Sequence, residues 1–456
     1  MPKIKQKTMW FCTSCGADSP KWAGRCPACG EWNTMVEEKV ASGPATSAVP
    51  LKGRTKAVPR TINQIEAVDE PRIHMPSNEL NRVLGGGLVK GSIVLIGGEP
   101  GIGKSTLVLQ NLLAIRSRRI LYVSGEESAT QLKLRADRIG RGSDNLFIVS
   151  DTSLENIFNH IDAVEPEIVV VDSIQTIATE TMDSSAGSVG QVRECAAALL
   201  RYAKESGVPV ILIGHINKEG TLAGPKVLEH IVDAVLQFEG DRQYLYRLLR
   251  AIKNRFGNTS EMGIYEMCQK GLREVTNPSE MLMSHSAGDL SGVAVGVTME
   301  GIRPFLIEVQ ALVSSAAYGT PQRSVTGFDA RRTNMLLAVL EKRVGFKLGS
   351  KDVFLNIAGG LKVNDPALDL AVIAAILSSN VDMAIPAGWC MAGEVGLTGE
   401  IRPVTRMEQR IGEAEKLGMS DMIIPDGNLK GIDTSKLNIR LHEAAKVADA
   451  FRVLFG

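Results

Sequence analysis

The segment Gly98-Glu99-Pro100-Gly101-Ile102-Gly103-Lys104-Ser105-Thr106 sets three glycines, a lysine and two hydroxyls within nine residues. Such a loop wraps phosphates. Glycine at 98, 101 and 103 lets the backbone turn tightly and aim successive amide N–H groups at phosphate oxygens. Lys104 can reach the terminal phosphates, and the Ser105 hydroxyl can ligate magnesium. The chemistry implied is the handling of a nucleoside triphosphate, with ATP and Mg2+ as the expected ligands. A loop of this kind works only at the junction of a strand and a helix. Residues 92–96 form an apolar strand-like run, and residues 105–116 carry Leu107, Val108, Leu112 and Ile115 at helical spacing.

Further acidic groups fall where strands end. Ile168-Val169-Val170-Val171-Asp172 is an apolar run closing on a carboxylate, which makes Asp172 the second expected magnesium group; capping of a following helix is the other reading. The run 120–123 opens into Ser124-Gly125-Glu126-Glu127-Ser128. A carboxylate at the carboxyl end of a strand can orient the attacking water. Glu126 is the first choice and Glu127 the second, and either acid could instead cap the next helix. His215 closes the run 208–214, and Lys253-Asn254-Arg255-Phe256-Gly257 is a basic loop after another strand-like run.

Cys12-x2-Cys15-x10-Cys26-x2-Cys29, with Gly16 and Gly30 directly after the pairs, has the spacing of a four-thiolate zinc knuckle. Four thiolates leave no open coordination position, so the expected role is structural or docking. Cys195, Cys268 and Cys390 stand alone, which suits a reducing compartment better than a disulfide framework.

These groups need a scaffold of more than one core, because 456 residues exceed an ordinary domain. Strand-like runs at 92–96, 119–123, 146–149, 167–172 and 208–214 alternate with helical runs at 105–116, 129–139, 153–164 and 189–206, the pattern of a doubly wound parallel sheet. Segments 231–239 and 243–253 follow without an intervening helix and read as antiparallel closing strands. Residues 180–190 and 217–229 read as mobile loops at one sheet edge, and Lys218 and Lys226 are the candidate phosphate contacts for a nucleic acid. The expected division is a zinc module at 1–38, a flexible basic linker at 39–62, the nucleotide-binding domain at 63–278 and a further α/β domain at 284–456. The 51 basic and 51 acidic residues cancel, so nucleic-acid affinity has to come from local patches. No apolar run approaches the span of a bilayer and no signal-peptide core follows the first lysines, so the expectation is a cytoplasmic protein without membrane contact.

The order GEPGIGKST, YVSGEES, IVVVDS resembles RecA-type ATPases. With KNRFG and the four-cysteine knuckle, the chain resembles their bacterial RadA/Sms branch over essentially its whole length. The resemblance implies a RecA-like P-loop core and a DNA-stimulated ATPase of homologous recombination and repair. It further implies a homohexameric ring on single-stranded DNA that drives branch migration of recombination intermediates, with a recombinase filament or replicative helicase as candidate partner. It makes Lys253 and Arg255 cations acting on a neighbouring subunit's nucleotide, His215 a nucleotide sensor, and Lys218 and Lys226 channel residues. Residues 284–456 resemble the proteolytic domain of Lon proteases through NDPALDLA and MAGEVGLTGEIRPV, but Ala367 and Glu408 stand where that family has its serine and lysine. A Lon-type protease and a non-motor nucleotide switch are the alternatives; the first is disfavoured because alanine offers no nucleophile.

Overall fold

The structure is a computed structural model that describes residues 6–13, 16–41, 61, 71–140, 142–215, 227–240, 246–277, 279, 283, 290–316 and 320–456. Cys15, Lys218, Lys226 and most of the expected linker lie outside the described residues. The chain divides into two compact units, Met1–Glu274 and Val275–Gly456.

The first unit opens with a small antiparallel sheet in the order β2-β1-β3, built from β1 (Gln6–Cys12), β2 (Asp18–Ser19) and β3 (Met35–Ala41). Cys12, Cys26 and Met35 are buried together at its centre. Gly16 and Gly30 have φ of 70° and 77°, the left-handed turn that a side chain disfavours and that lets backbone N–H groups fold back toward each cysteine.

Next come β4 (Arg72–Ile73), α1 (Asn78–Leu84), β5 (Leu88–Val89), β6 (Ile93–Gly98), α2 (Lys104–Ala114), β7 (Ile120–Ser124), α3 (Ala129–Ile139), β8 (Leu146–Ser150), α4 (Leu154–Val164) and β9 (Ile168–Asp172). The unit continues through α5 (Val189–Ser206), β10 (Val210–His215), α6 (Val227–Ile231), β11 (Ala234–Glu239), β12 (Tyr246–Asn254), β13 (Met262–Cys268) and β14 (Gly271–Glu274). Among the described residues the main sheet has nine strands in the order β14-β13-β12-β11-β6-β10-β9-β7-β8.

Its central strands are apolar at nearly every position because both faces are covered. Val94 and Ile96 of β6 pack with Leu107, Leu109 and Leu112 of α2 on one face. Ile93 and Leu95 pack with Val192, Ala196 and Leu199 of α5 on the other. The helices start where the sequence supplies caps. Ser128 closes a capping box with Gln131, and Ser153 and Ser188 accept from Asn156 N and Gln191 N.

One expectation is corrected here. β11 runs parallel to β6, and only β12, β13 and β14 are antiparallel additions. The sequence reading began that strand at residue 231, which is the last residue of α6. The first part of the 180–190 segment is tied to the helix that follows it. Gln191, buried at the start of α5, donates to the carbonyls of Thr179, Met182 and Ser184 at 3.0–3.1 Å and accepts from Thr179 N at 2.9 Å.

Among the described residues the second unit is built on a seven-stranded sheet in the order β17-β18-β16-β15-β19-β22-β23. Its elements are β15 (Val293–Glu300), β16 (Arg303–Ser315), β17 (Arg323–Thr326), α7 (Ala330–Val339), β18 (Lys351–Ile357), α8 (Asp369–Val381), β19 (Trp389–Met391), β20 (Glu394–Val395), β21 (Ile401–Arg402), α9 (Met407–Lys416), β22 (Asp421–Pro425), β23 (Arg440–Ala444) and α10 (Val447–Phe455). α8 is buried along most of its length.

Candidate functional site

The phosphate loop leaves the carboxyl end of β6 and enters α2. Gly103 has a φ of 116°, and α2 has no side-chain cap. Its first N–H groups, left without intrahelical partners, are therefore available to an anion. Glycine at 98 is a steric requirement, since a Cβ there would stand 2.6 Å from the Phe238 carbonyl oxygen. Glu99, Pro100 and Gly101 form the exposed tip, and Ile102 turns back into the core. Ser105 and Thr106, in the first turn of α2, are half-buried.

Lys104 is 4% exposed. Its Nζ donates to the carbonyls of Gly98 at 2.8 Å and Glu99 at 2.9 Å, and lies 3.2 Å from His215 Nδ1. Burial pushes its pKa down to about 8, against the opposing pull of the Asp172 and Glu126 carboxylates.

Parallel strands bring the other groups to the same end of the sheet. β10 lies beside β6 and ends on His215, β9 ends on Asp172, and β7 opens into Glu126. His215 Nε2 lies 3.0 Å from Glu126 Oε1. An imidazole that accepts from the Lys104 ammonium at Nδ1 donates at Nε2, so His215 links the lysine to the carboxylate. Burial would raise the Glu126 pKa, but hydrogen bonds from Ser173 Oγ and His215 hold it below the usual carboxylate range. Asp172 is buried and accepts from Tyr122 Oη at 2.5 Å. Gly125 makes the turn possible: a Cβ there would overlap Thr176 Oγ1 at 1.9 Å, while its N–H donates to Asp172 O at 2.8 Å.

Lys104, Asp172 and Glu126 thus converge, whereas Glu127 turns away into an ion pair with Arg135. Tyr122, Ser173 and Gln191 escaped the sequence reading. The only trace of Tyr122 was a hydroxyl inside the apolar run ILYVS.

Lys253 and Arg255 sit at the other end of the sheet. Arg255 N donates to Asp233 O, and Asp233 N to Ile93 O, so that loop is level with the first residue of β6 while the phosphate loop leaves its last. The six-residue strand separates them by about 17 Å of rise. Lys253 Nζ donates to the carbonyls of Glu229 at 2.6 Å and Val232 at 2.8 Å. Arg255 is mostly exposed and lies 3.6 Å from Asp233.

In the amino-terminal module the thiol sulfurs of Cys12, Cys26 and Cys29 lie within 4.8 Å of one another, with Cys12 and Cys29 at 3.7 Å. Tetrahedral ligation at about 2.3 Å per bond would set thiolates about 3.8 Å apart, so the donor set fits a thiophilic ion such as zinc.

In the second unit Ala367 is fully buried and Glu408 is exposed on α9. Asp365, beside Ala367, is engaged by Arg410 Nη1 at 2.7 Å and Met299 N at 2.7 Å. Arg332 is ion-paired with buried Asp369.

Three family models match the chain: a rubredoxin metal binding domain at residues 10–37, an AAA domain at 59–221, and subunit ChlI of Mg-chelatase at 309–428. A solved KaiC-like protein of the archaeon Pyrococcus horikoshii is 22% identical, over 45% of this chain and 99% of that one, with a TM-score of 0.38. The DNA repair protein RadA of Brucella abortus is 46% identical, with 98% of this chain and 97% of that one covered. That of Halalkalibacterium halodurans is 48% identical, with 99% of each covered. With the DNA repair protein RadA of Bacillus subtilis 50% identical across 99% of both chains, this chain belongs to the RadA family of DNA repair proteins.

Proposed function

We propose that the chain is a DNA-dependent ATPase of recombination and repair: a cytoplasmic, ring-forming motor, homohexameric, that moves on single-stranded DNA and promotes branch migration of recombination intermediates. The observation that carries this reading is the continuous link from Lys104 through His215 to Glu126 at the carboxyl ends of three strands. His215 is also the last residue of β10, so the segment bearing Lys218 and Lys226 follows it directly in sequence. A group that touches both the phosphate-binding lysine and the water-orienting carboxylate is placed to pass nucleotide state to a strand-holding segment.

In this reading the backbone of residues 98–106 cradles the triphosphate. Lys104 exchanges its loop carbonyls for phosphate oxygens, and Glu126 orients the attacking water and takes up its proton. Asp172 and Ser105 would hold Mg2+, which when bound neutralises phosphate charge. Lys253 and Arg255, too far from this chain's own loop, act on the nucleotide of the next subunit. Cys12, Cys15, Cys26 and Cys29 hold Zn2+ in a docking module whose partner is a recombinase filament or a replicative helicase. The working divisions are 1–38, 39–62, 63–278 and 284–456, the last without protease chemistry.

The test compares ATP turnover with and without single-stranded DNA, for the wild type and Lys104→Ala, together with extension of a three-strand recombination intermediate. Stimulated turnover that needs Lys104 and accompanies junction movement is expected. Equal turnover with and without DNA, and a stationary junction, would overturn the proposal.

A further inference from the structure

Asp233, the residue before β11, is a carboxylate only 2% exposed that faces two cations. Its Oδ2 accepts from Ile93 N at 3.1 Å and from Lys204 Nζ at 2.7 Å, while its Oδ1 lies 3.6 Å from Arg255 Nη1. The bond from the β6 backbone fixes the carboxylate, so it cannot follow Arg255 outward. Lys253, the other cation of the loop, is engaged elsewhere, on the carbonyls of Glu229 and Val232. One cation is enough to pair a buried carboxylate, and Lys204 is the closer of the two.

The backbone around Arg255 is clamped. Arg255 N donates to Asp233 O at 3.1 Å, Asn254 Nδ2 to Val83 O at 3.1 Å, and the Phe256 carbonyl accepts from Arg72 Nη2 at 2.8 Å. The guanidinium is not clamped: the Arg255 side chain is 58% exposed and sits at the longer distance from Asp233. Lys204, in the last turn of α5, has a second hold on the same corner, its Nζ lying 5.8 Å from the Phe256 ring centroid. A cation that leaves a buried carboxylate strands an unpaired charge, which is strongly unfavourable unless another cation stays behind.

We infer that Lys204 is a positioning residue for Arg255: by neutralising Asp233 it lets the Arg255 guanidinium move onto the phosphates of a neighbouring subunit's nucleotide. Without Lys204, Arg255 becomes the counter-ion of Asp233 and is held back. This rests on the inter-subunit reading of Arg255 above and adds to it the group that makes the transfer possible.

The test measures ATP turnover by the full chain in the presence of oligothymidylate. Lys204→Met is expected to lower kcat about tenfold or more, with KM and the affinity for a fluorescent ATP analogue little changed. Lys204→Arg should keep turnover near the wild-type level. The deciding variant is Lys204→Met/Asp233→Asn. Its amide still accepts from Ile93 N but no longer traps the arginine, so kcat should return to within about threefold of wild type. A purely structural pin would instead make the double variant as poor as Lys204→Met or worse, and that result would overturn the proposal. So would wild-type turnover in Lys204→Met beside a crippled Arg255→Ala. Wild-type turnover in Arg255→Ala would remove the inter-subunit reading itself, and the proposal with it.

Discussion

His215 Nε2 lies 3.0 Å from Glu126 Oε1, and the opposite ring nitrogen is 3.2 Å from Lys104 Nζ. The lysine and the carboxylate are therefore held through one imidazole, and a triphosphate has to compete with the imidazole for the lysine. Glu126→Gln is expected to keep nucleotide binding and lower kcat roughly 100-fold or more. His215→Ala is expected to keep binding within about threefold and to lose most of the stimulation by DNA. Titration with a fluorescent ATP analogue, beside steady-state turnover, separates the two variants. Full DNA stimulation in His215→Ala would remove the relay.

Lys104 makes a pH prediction. Its folded-state pKa of about 8 lies below the ordinary lysine value of 10.5, so between those values the unfolded chain holds more protons and stability from this group rises with pH. Triphosphate restores the charged form. Nucleotide binding near pH 9 should then take up a large fraction of one proton, and binding near pH 6.5 almost none from this group. Calorimetry in buffers of different ionisation enthalpy reads the uptake, and Lys104→Met should abolish it.

The Tyr122 hydroxyl donates to one carboxylate oxygen of Asp172 at 2.5 Å, and the proposed magnesium role of Asp172 falls to the other. Tyr122→Phe is expected to raise the Mg2+ concentration needed for half-maximal turnover about tenfold. Manganese binding in the presence of ADP should weaken in parallel. Nucleotide affinity without metal and the melting temperature should change little. Equal loss of metal-free binding would mark the tyrosine as a purely structural group.

Arg255 lies at the far end of the sheet from its own phosphate loop, which calls for a mixing experiment. Lys104→Ala and Arg255→Ala chains should each be nearly inactive in DNA-stimulated turnover. In a randomly mixed ring, up to about a quarter of interfaces would pair an intact loop with an intact arginine. A mixture no more active than its components would argue that Arg255 does not act between subunits.

Ala367 is fully buried behind Asp365, which Arg410 engages. Ala367→Ser is expected to give no casein hydrolysis and to cost about 1–2 kcal/mol of stability, because its hydroxyl enters an apolar cluster. Appearance of peptidase activity would reopen the protease reading.

The sequence by itself determined the chemistry of the loop and the alternation of strands and helices, because both are written in local spacing. Glycines at 98, 101 and 103 fix where the backbone can approach a phosphate, and apolar runs ending in Asp172 and His215 fix what a parallel sheet offers at one edge. Four cysteines in two pairs set the spacing of a thiolate metal site in the same way. The tertiary structure decided which of two adjacent acids faces the lysine: Glu126 and Glu127 are indistinguishable by spacing, and Arg135 on the next helix draws the second one off. It also decided the direction of β11, the hold of Gln191 on the 180–190 segment, and the ends of the sheet to which Lys104 and Arg255 belong. These depend on strand order and on contacts between residues far apart in the chain, which no local pattern encodes.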